Sequence, residues 1–208
     1  MKNSAILAVA VSVSFLLTAC APVSTSVKNE QAALTTDENV KLASVYETKG
    51  ELGLALKFYK LAVEENKNSA DIYFALGNVN LKMKLYKDAE DAYKKVLELK
   101  PASPAAYNNL SWLYLQTNEL GKAEEAAKKA VKSGPHEIYA YLDTLGVVQI
   151  RMGKLTEAEE NLKEAVALIP PEEKEGLKQI FNHQLELYKK TNDESKASSV
   201  QNKLNQLN

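Results

Sequence analysis

From about Asp37 onward the chain repeats itself, and no other feature restricts its folding as much. An alanine that follows a short turn and opens an apolar-periodic stretch recurs at Ala55, Ala89, Ala123 and Ala158, in steps of 34, 34 and 35 residues. Each unit holds two stretches with apolar residues spaced by three and four, which is the period of an amphipathic helix and not of a strand. In the first stretch Leu42, Leu76, Leu110 and Leu145 align, each followed by a small residue: Ala43, Gly77, Ser111 and Gly146. A bulky side chain there would hold two helices apart, so the column predicts close backbone approach. In the second stretch Tyr59, Tyr93, Ala127 and Leu162 stand four residues after the reference alanine, and Ala62, Val96, Ala130 and Ala165 three later. These spacings make one stripe facing a neighbouring helix. The turns carry Gly50, Leu85 with Tyr86, Asn118 and Gly153. Pro101, Pro135 and Pro170 close units two to four, where proline stops a helix. Unit one has Lys67 instead, which leaves its boundary softer.

Four units of paired helices at this period resemble the tetratricopeptide repeat (TPR) family. The resemblance covers roughly residues 36 to 170 and implies an all-α solenoid of about four helix-turn-helix repeats over 37–170. After Pro171 the pattern weakens: Leu177, Ile180, Phe181, Leu185 and Tyr188 keep helical spacing, and Ala197 stands where a fifth reference alanine could fall, after a step of 39. The stretch from Glu194 to Leu204 is rich in Ser, Gln, Asn and Lys, as the uncovered side of a terminal unit requires. Residues 171–208 therefore read as capping helices or a degenerate fifth repeat.

The family stacks its helix pairs into a superhelix whose concave side is lined by first helices and takes an extended peptide or a partner's helix. Carried over position by position, the resemblance implies a groove of Val40, Ser44 and Glu47 in unit one and Asp71, Phe74, Asn78, Leu81 and Lys82 in unit two. Unit three adds Asn108, Asn109, Trp112, Leu115 and Gln116, and unit four Asp143, Val147, Ile150 and Arg151. Trp112, the lone tryptophan, falls in the middle of this set, and aromatic anchors commonly dominate binding energy. Packing against adjacent helices is the alternative role for Trp112 and Phe74. TPR domains that grip a C-terminal carboxylate use a lysine and an asparagine where this chain has Val40 and Ser44, so that clamp is not expected in unit one.

The N-terminus addresses location. Lys2 precedes an apolar run from Ala5 to Leu17, and the run ends in Leu17-Thr18-Ala19-Cys20, which resembles a bacterial lipobox and holds the only cysteine. A spanning helix would need roughly 20 apolar residues, whereas Ser12, Ser14 and Thr18 interrupt this run. The resemblance implies that residues 1–19 are a lipoprotein signal peptide, that Cys20 is the lipid attachment site, and that several acyl chains hold the protein to a membrane. Ala21 stands where Gram-negative lipoproteins retained in the inner membrane commonly have Asp, so the outer membrane, facing the periplasm, is expected; a single-membrane cell would carry the protein on its surface. Residues 20–36 lack apolar periodicity and read as a flexible tether with an end-to-end distance of about 20 Å. The folded body is thus expected close to the lipid.

Net charge of −1 gives no reason to expect a nucleic acid partner. Lysines and glutamates alternate, as in Glu90 and Asp91 beside Lys94 and Lys95, and read as solvated helix faces with i,i+4 pairs. No phosphate loop, Cys/His metal spacing or nucleophile motif is present, so no cofactor and no catalysis are expected. The two histidines, His136 and His183, lie in different units, and His136 follows Gly134-Pro135 in a loop. The sequence thus supports a non-enzymatic protein-binding scaffold of the bacterial envelope, resembling in overall plan the lipid-anchored TPR proteins that assist pilus and secretin assembly. Recruitment of peptidoglycan hydrolases, or a small-ligand or glycan module on the same concave side, are the alternatives. Pairing of two copies through the first or last unit is a further expectation.

Overall fold

The computed structural model describes residues 34–134 and 136–207. The expected signal peptide, Cys20 and most of the tether lie outside the described residues, as does Pro135. Helices α1 (Thr36–Thr48) and α2 (Leu52–Glu65) form the first pair, α3 (Ala70–Lys82) and α4 (Tyr86–Leu99) the second. The third pair is α5 (Pro104–Gln116) and α6 (Leu120–Ser133), the fourth α7 (Ile138–Met152) and α8 (Leu155–Leu168). A fifth pair, α9 (Lys174–Lys190) and α10 (Glu194–Leu207), ends the array.

Local chemistry sets the boundaries. Thr35 and Glu38 close a capping box at the start of α1, and the Ser69 and Ser103 hydroxyls accept from the backbone N–H of Ile72 and Ala106, each at 3.4 Å. Pro104 occupies the first turn of α5, where its missing N–H costs nothing. Between the helices of each pair one residue adopts positive φ: Gly50, Lys84, Asn118, Gly153 and Asn192. Each stands five residues before its reference alanine, so Asn192 and Ala197 share the spacing of Gly50 and Ala55. The longer last step is taken up partly in α9, which has 17 residues against 13 to 15 in the other first helices, and partly in the connections on either side of it.

The small column does what its spacing predicts. A Cβ on Gly77 would stand 2.6 Å from Cε1 of Tyr93, and one on Gly146 would stand 2.7 Å from Cγ of Leu162. Ser111, wholly buried, donates its hydroxyl to the carbonyl of Ala123 at 2.9 Å. Contacts between units are unequal: α3 meets α5, α5 meets α7 and α7 meets α9, while among the described residues no two second helices are in comparable contact. First helices therefore line the inner side of the array, and second helices its outer side.

A repeated carboxylate ties the outer side together. The residue after the reference alanine is glutamate in units two to four. Glu90 accepts from the Tyr114 hydroxyl at 2.7 Å, Glu124 from Lys154 at 2.8 Å, and Glu159 from Lys196 at 2.9 Å and the Tyr188 hydroxyl at 3.3 Å. Each also pairs along its own helix, with Lys94, Lys128 and Lys163. The faces read as solvated i,i+4 pairs thus also join each of units two to four to the next.

Candidate functional site

The inner side of α3, α5, α7 and α9 is the surface that the family's geometry assigns to a ligand, and much of its polar lining is bonded from one unit to the next. Asn78 Oδ1 accepts from the Tyr93 hydroxyl and from Asn109 Nδ2, both at 2.8 Å, which joins α3, α4 and α5. Burial raises the pKa of the Tyr93 phenol, which stays a donor at any ordinary pH. Trp112 Nε1 donates to Thr144 Oγ1 at 3.1 Å, from α5 to α7. Asp143 is buried to 2 % exposure, with its Oδ1 2.7 Å from His183 Nδ1 and its Oδ2 accepting from Gln179 Nε2 at 3.2 Å, from α7 to α9. Asn109, Thr144 and His183 occupy successive units, and each grips a groove residue of the unit before. Buried side chains are not left unpaired without cost, so these ties hold the curvature of the inner face.

The expected groove residues divide accordingly. Asn78, Asn109 and Asp143 are bound into the ties and offer a ligand few free polar atoms. Phe74 is half-buried with its ring edge-on to Tyr93 at 5.9 Å. Leu81 and Val147 are half-buried against the central core cluster, and Arg151 is exposed. Asp71 and Glu47 pair with Lys100 and Lys82 at 2.7 and 2.6 Å, and Gln116 accepts from the Tyr86 hydroxyl. Leu115 and Ile150 correct the sequence reading. At 5 % and 3 % exposure they belong to the core clusters and offer a ligand almost no surface.

What remains open is a cleft of about 120 Å³ where α5, α7 and α9 converge, lined by Asn108, Trp112, Tyr139, Asp143, Thr144 and Gln179 among others. The Trp112 ring forms one wall, half-buried. The carboxamide oxygen of Asn108 is buried and meets no donor among the described residues. The carboxamide oxygens of Asn39 and Asn80, outside the cleft, are buried and orphaned in the same way, so this feature marks no ligand by itself. The sequence reading placed Asn108, Trp112 and Asp143 in this region but missed Tyr139, Gln179 and His183. The signal for Gln179 and His183 was the helical spacing after Pro171, which continues the series of first helices, and Tyr139 stands in the first turn of α7.

Among the described residues no helix is long and apolar enough to cross a membrane, and no group of three His, Cys, Asp or Glu side chains is placed to hold a metal ion. His136 lies exposed in the turn before α7.

Tetratricopeptide-repeat models match residues 39–69, 74–138 and 139–172. The chain belongs to the tetratricopeptide-repeat family, whose members act as scaffolds that bind protein or peptide partners. Among solved structures it is similar to PilF of Pseudomonas aeruginosa, at 20 % identity and TM-score 0.72, over 83 % of this chain and 76 % of that one. It is also similar to PilW, described as a widely conserved type IV pilus biogenesis factor, at 16 % identity and TM-score 0.74, over 83 % and 77 %. YrrB, described as a TPR protein with an unusual peptide-binding site, matches at 21 % identity and TM-score 0.59, over 82 % and 84 %. At these identities the likeness is one of fold. A comparison of the sequence with curated proteins finds no match.

Proposed function

We propose that this chain is a non-enzymatic scaffold of the bacterial envelope, anchored through acylated Cys20 to the periplasmic side of the outer membrane. It holds an extended segment of a partner protein in the cleft between α5, α7 and α9. The observation that carries the binding reading is the cleft itself, an opening on the inner face where Trp112 stands beside the polar side chains of Asn108, Thr144 and Gln179. The lipobox-like Leu17 to Cys20 supports the anchor, and the fold shared with PilF and PilW supports assistance in building a pilus or secretin complex. The tether expected over residues 20–36 is short and would keep the folded body near the membrane, which suits partners that assemble there.

Affinity capture from solubilised envelopes tests the binding reading. The parent chain enriches a defined protein and Trp112→Ala loses most of it, since truncating a central aromatic typically costs 2 kcal/mol or more of binding, roughly 30-fold in affinity. Equal recovery with both chains contradicts the assignment of the cleft. Labelling with radioactive palmitate tests the anchor separately: the parent chain is labelled and Cys20→Ser is not.

A further inference from the structure

The interfaces inside the array show what its first unit lacks. Each later unit presents to the one before it a face built from both of its helices, and the preceding second helix lies over that face. Lys60 of α2 stands over unit two beside Asn80 and Ala92, and Lys94 and Leu97 of α4 stand over unit three beside Tyr114 and Ala126. Beneath these helices Val79, Leu113 and Val148 are exposed by only 0, 1 and 0 %. Their counterpart in unit one, Val45, is 48 % exposed.

The second helices add a change of chemistry. The counterparts of Leu54 and Leu61 are Asp88 and Lys95 in unit two, Lys122 and Lys129 in unit three, and Glu157 and Glu164 in unit four. Where the later units carry charge, unit one carries two leucines exposed by 39 and 37 %. Leu54, Phe58 and Leu61 follow one another at spacings of four and three, on one stripe of α2. Phe58 stacks on Tyr46 of α1 with ring centroids 5.5 Å apart and planes 5° from parallel, which joins the two helices into a continuous apolar surface.

We propose that this outer face of unit one is a two-fold docking surface for a second copy of the chain. Three observations select that occupant. The element that covers every later version of the face is a second helix, and α2 is itself a second helix with an unused apolar stripe. An isologous pair therefore satisfies both copies at once, α2 of each lying where a preceding repeat would lie. Residues 21–33, the nearest other segment of the chain, lack the apolar period needed to cover such a face. The described chain also starts against α2 itself, since the Thr36 hydroxyl bonds Glu65 at 2.7 Å, one turn beyond Leu61.

The test uses the full chain in cells, expressed as two differently tagged copies, with p-benzoylphenylalanine in place of Leu61 in one copy and, separately, in place of Leu168. Leu168 is similarly exposed, at 47 %, but lies on α8. Irradiation is expected to yield an adduct carrying both tags, at least fivefold more from position 61 than from position 168. Leu54→Lys in both copies should remove it, and Leu54→Gln, a milder change at an exposed site, should reduce it in the same direction. Equal yields from the two positions, adducts to other proteins alone, no adduct, or a doubly tagged adduct that survives both Leu54 variants would each overturn the proposal.

Discussion

At its C-terminal end the array turns Ser195, Ser198, Ser199, Gln201 and Asn202 of α10 toward solvent and buries Val200 and Leu204, whereas at its N-terminal end Val45, Leu54 and Leu61 stay exposed. Both ends are helix pairs of the same kind, joined by a turn with one residue at positive φ. What differs is the chemistry of the face that no further repeat covers. A solenoid that stops must either make its last face polar or leave it for something else to bury. α10 takes the first course and α2 leaves its apolar stripe exposed, so the same helical period is a cap in one place and an open face in the other.

Substitutions at the two ends sharpen this contrast. The largest effect is expected from Leu204→Ala, which removes buried methyl groups packed with Phe181 and Tyr188 and costs about 2–4 kcal/mol in urea unfolding. Leu54→Ala, measured in dilute protein, should stay within about 0.5 kcal/mol, because the side chain is exposed. Equal losses at both sites would erase the distinction between a cap and an open face.

A second contrast is pH. Bonds from Lys163 and then Lys196 hold the Glu159 carboxyl at about 2, below its ordinary value of 4.5. A carboxyl depressed in the folded state stabilises fully above its unfolded value, and that contribution fades as pH falls from about 4.5 toward 2. Protection factors in α9 and α10, corrected for the intrinsic exchange rate at each pH, should therefore fall over that window, and Glu159→Gln should flatten the response. Unit one carries Leu56 at the matching position and has no such carboxylate to lose. An unchanged acid response in Glu159→Gln would show that the tie between α8 and the last pair contributes nothing.

The smallest effect concerns the turns. Lys84 holds φ +59° where Gly50 and Gly153 stand in the equivalent turns. A side chain in the left-handed region is strained by roughly 1–2 kcal/mol, and glycine gives back part of that gain through its looser unfolded state. Lys84→Gly should raise stability by about 0.5–1 kcal/mol in thermal or urea unfolding. A loss would mean that Lys84 contributes a contact that outweighs its backbone cost.

The repeat, the small column and the turn positions were legible because each depends on spacing within one or two units. The glutamates after the reference alanines were equally visible, and their pairs with Lys94, Lys128 and Lys163 could be read from helical spacing alone. Their bonds to Tyr114, Lys154 and Tyr188 depend on how one pair is rotated against the next, which no local period encodes. For the same reason the burial of Leu115 and Ile150, both expected in the groove, is not encoded locally but depends on the packing of neighbouring helices. The cleft depends on contacts such as Asp143 with His183, 40 residues apart, and emerges only from the stacked first helices.

In the proposed function partner polypeptide lies against Trp112, and the chain carries its own reporter because that tryptophan is the only one. Intrinsic fluorescence followed while the partner recovered from the envelope is titrated into the purified protein tests it most directly. The account predicts a saturable change in Trp112 emission that tracks binding, with the affinity lost in Trp112→Ala when binding is followed by calorimetry. A partner that binds with full affinity to both chains and leaves the emission unmoved would contradict it.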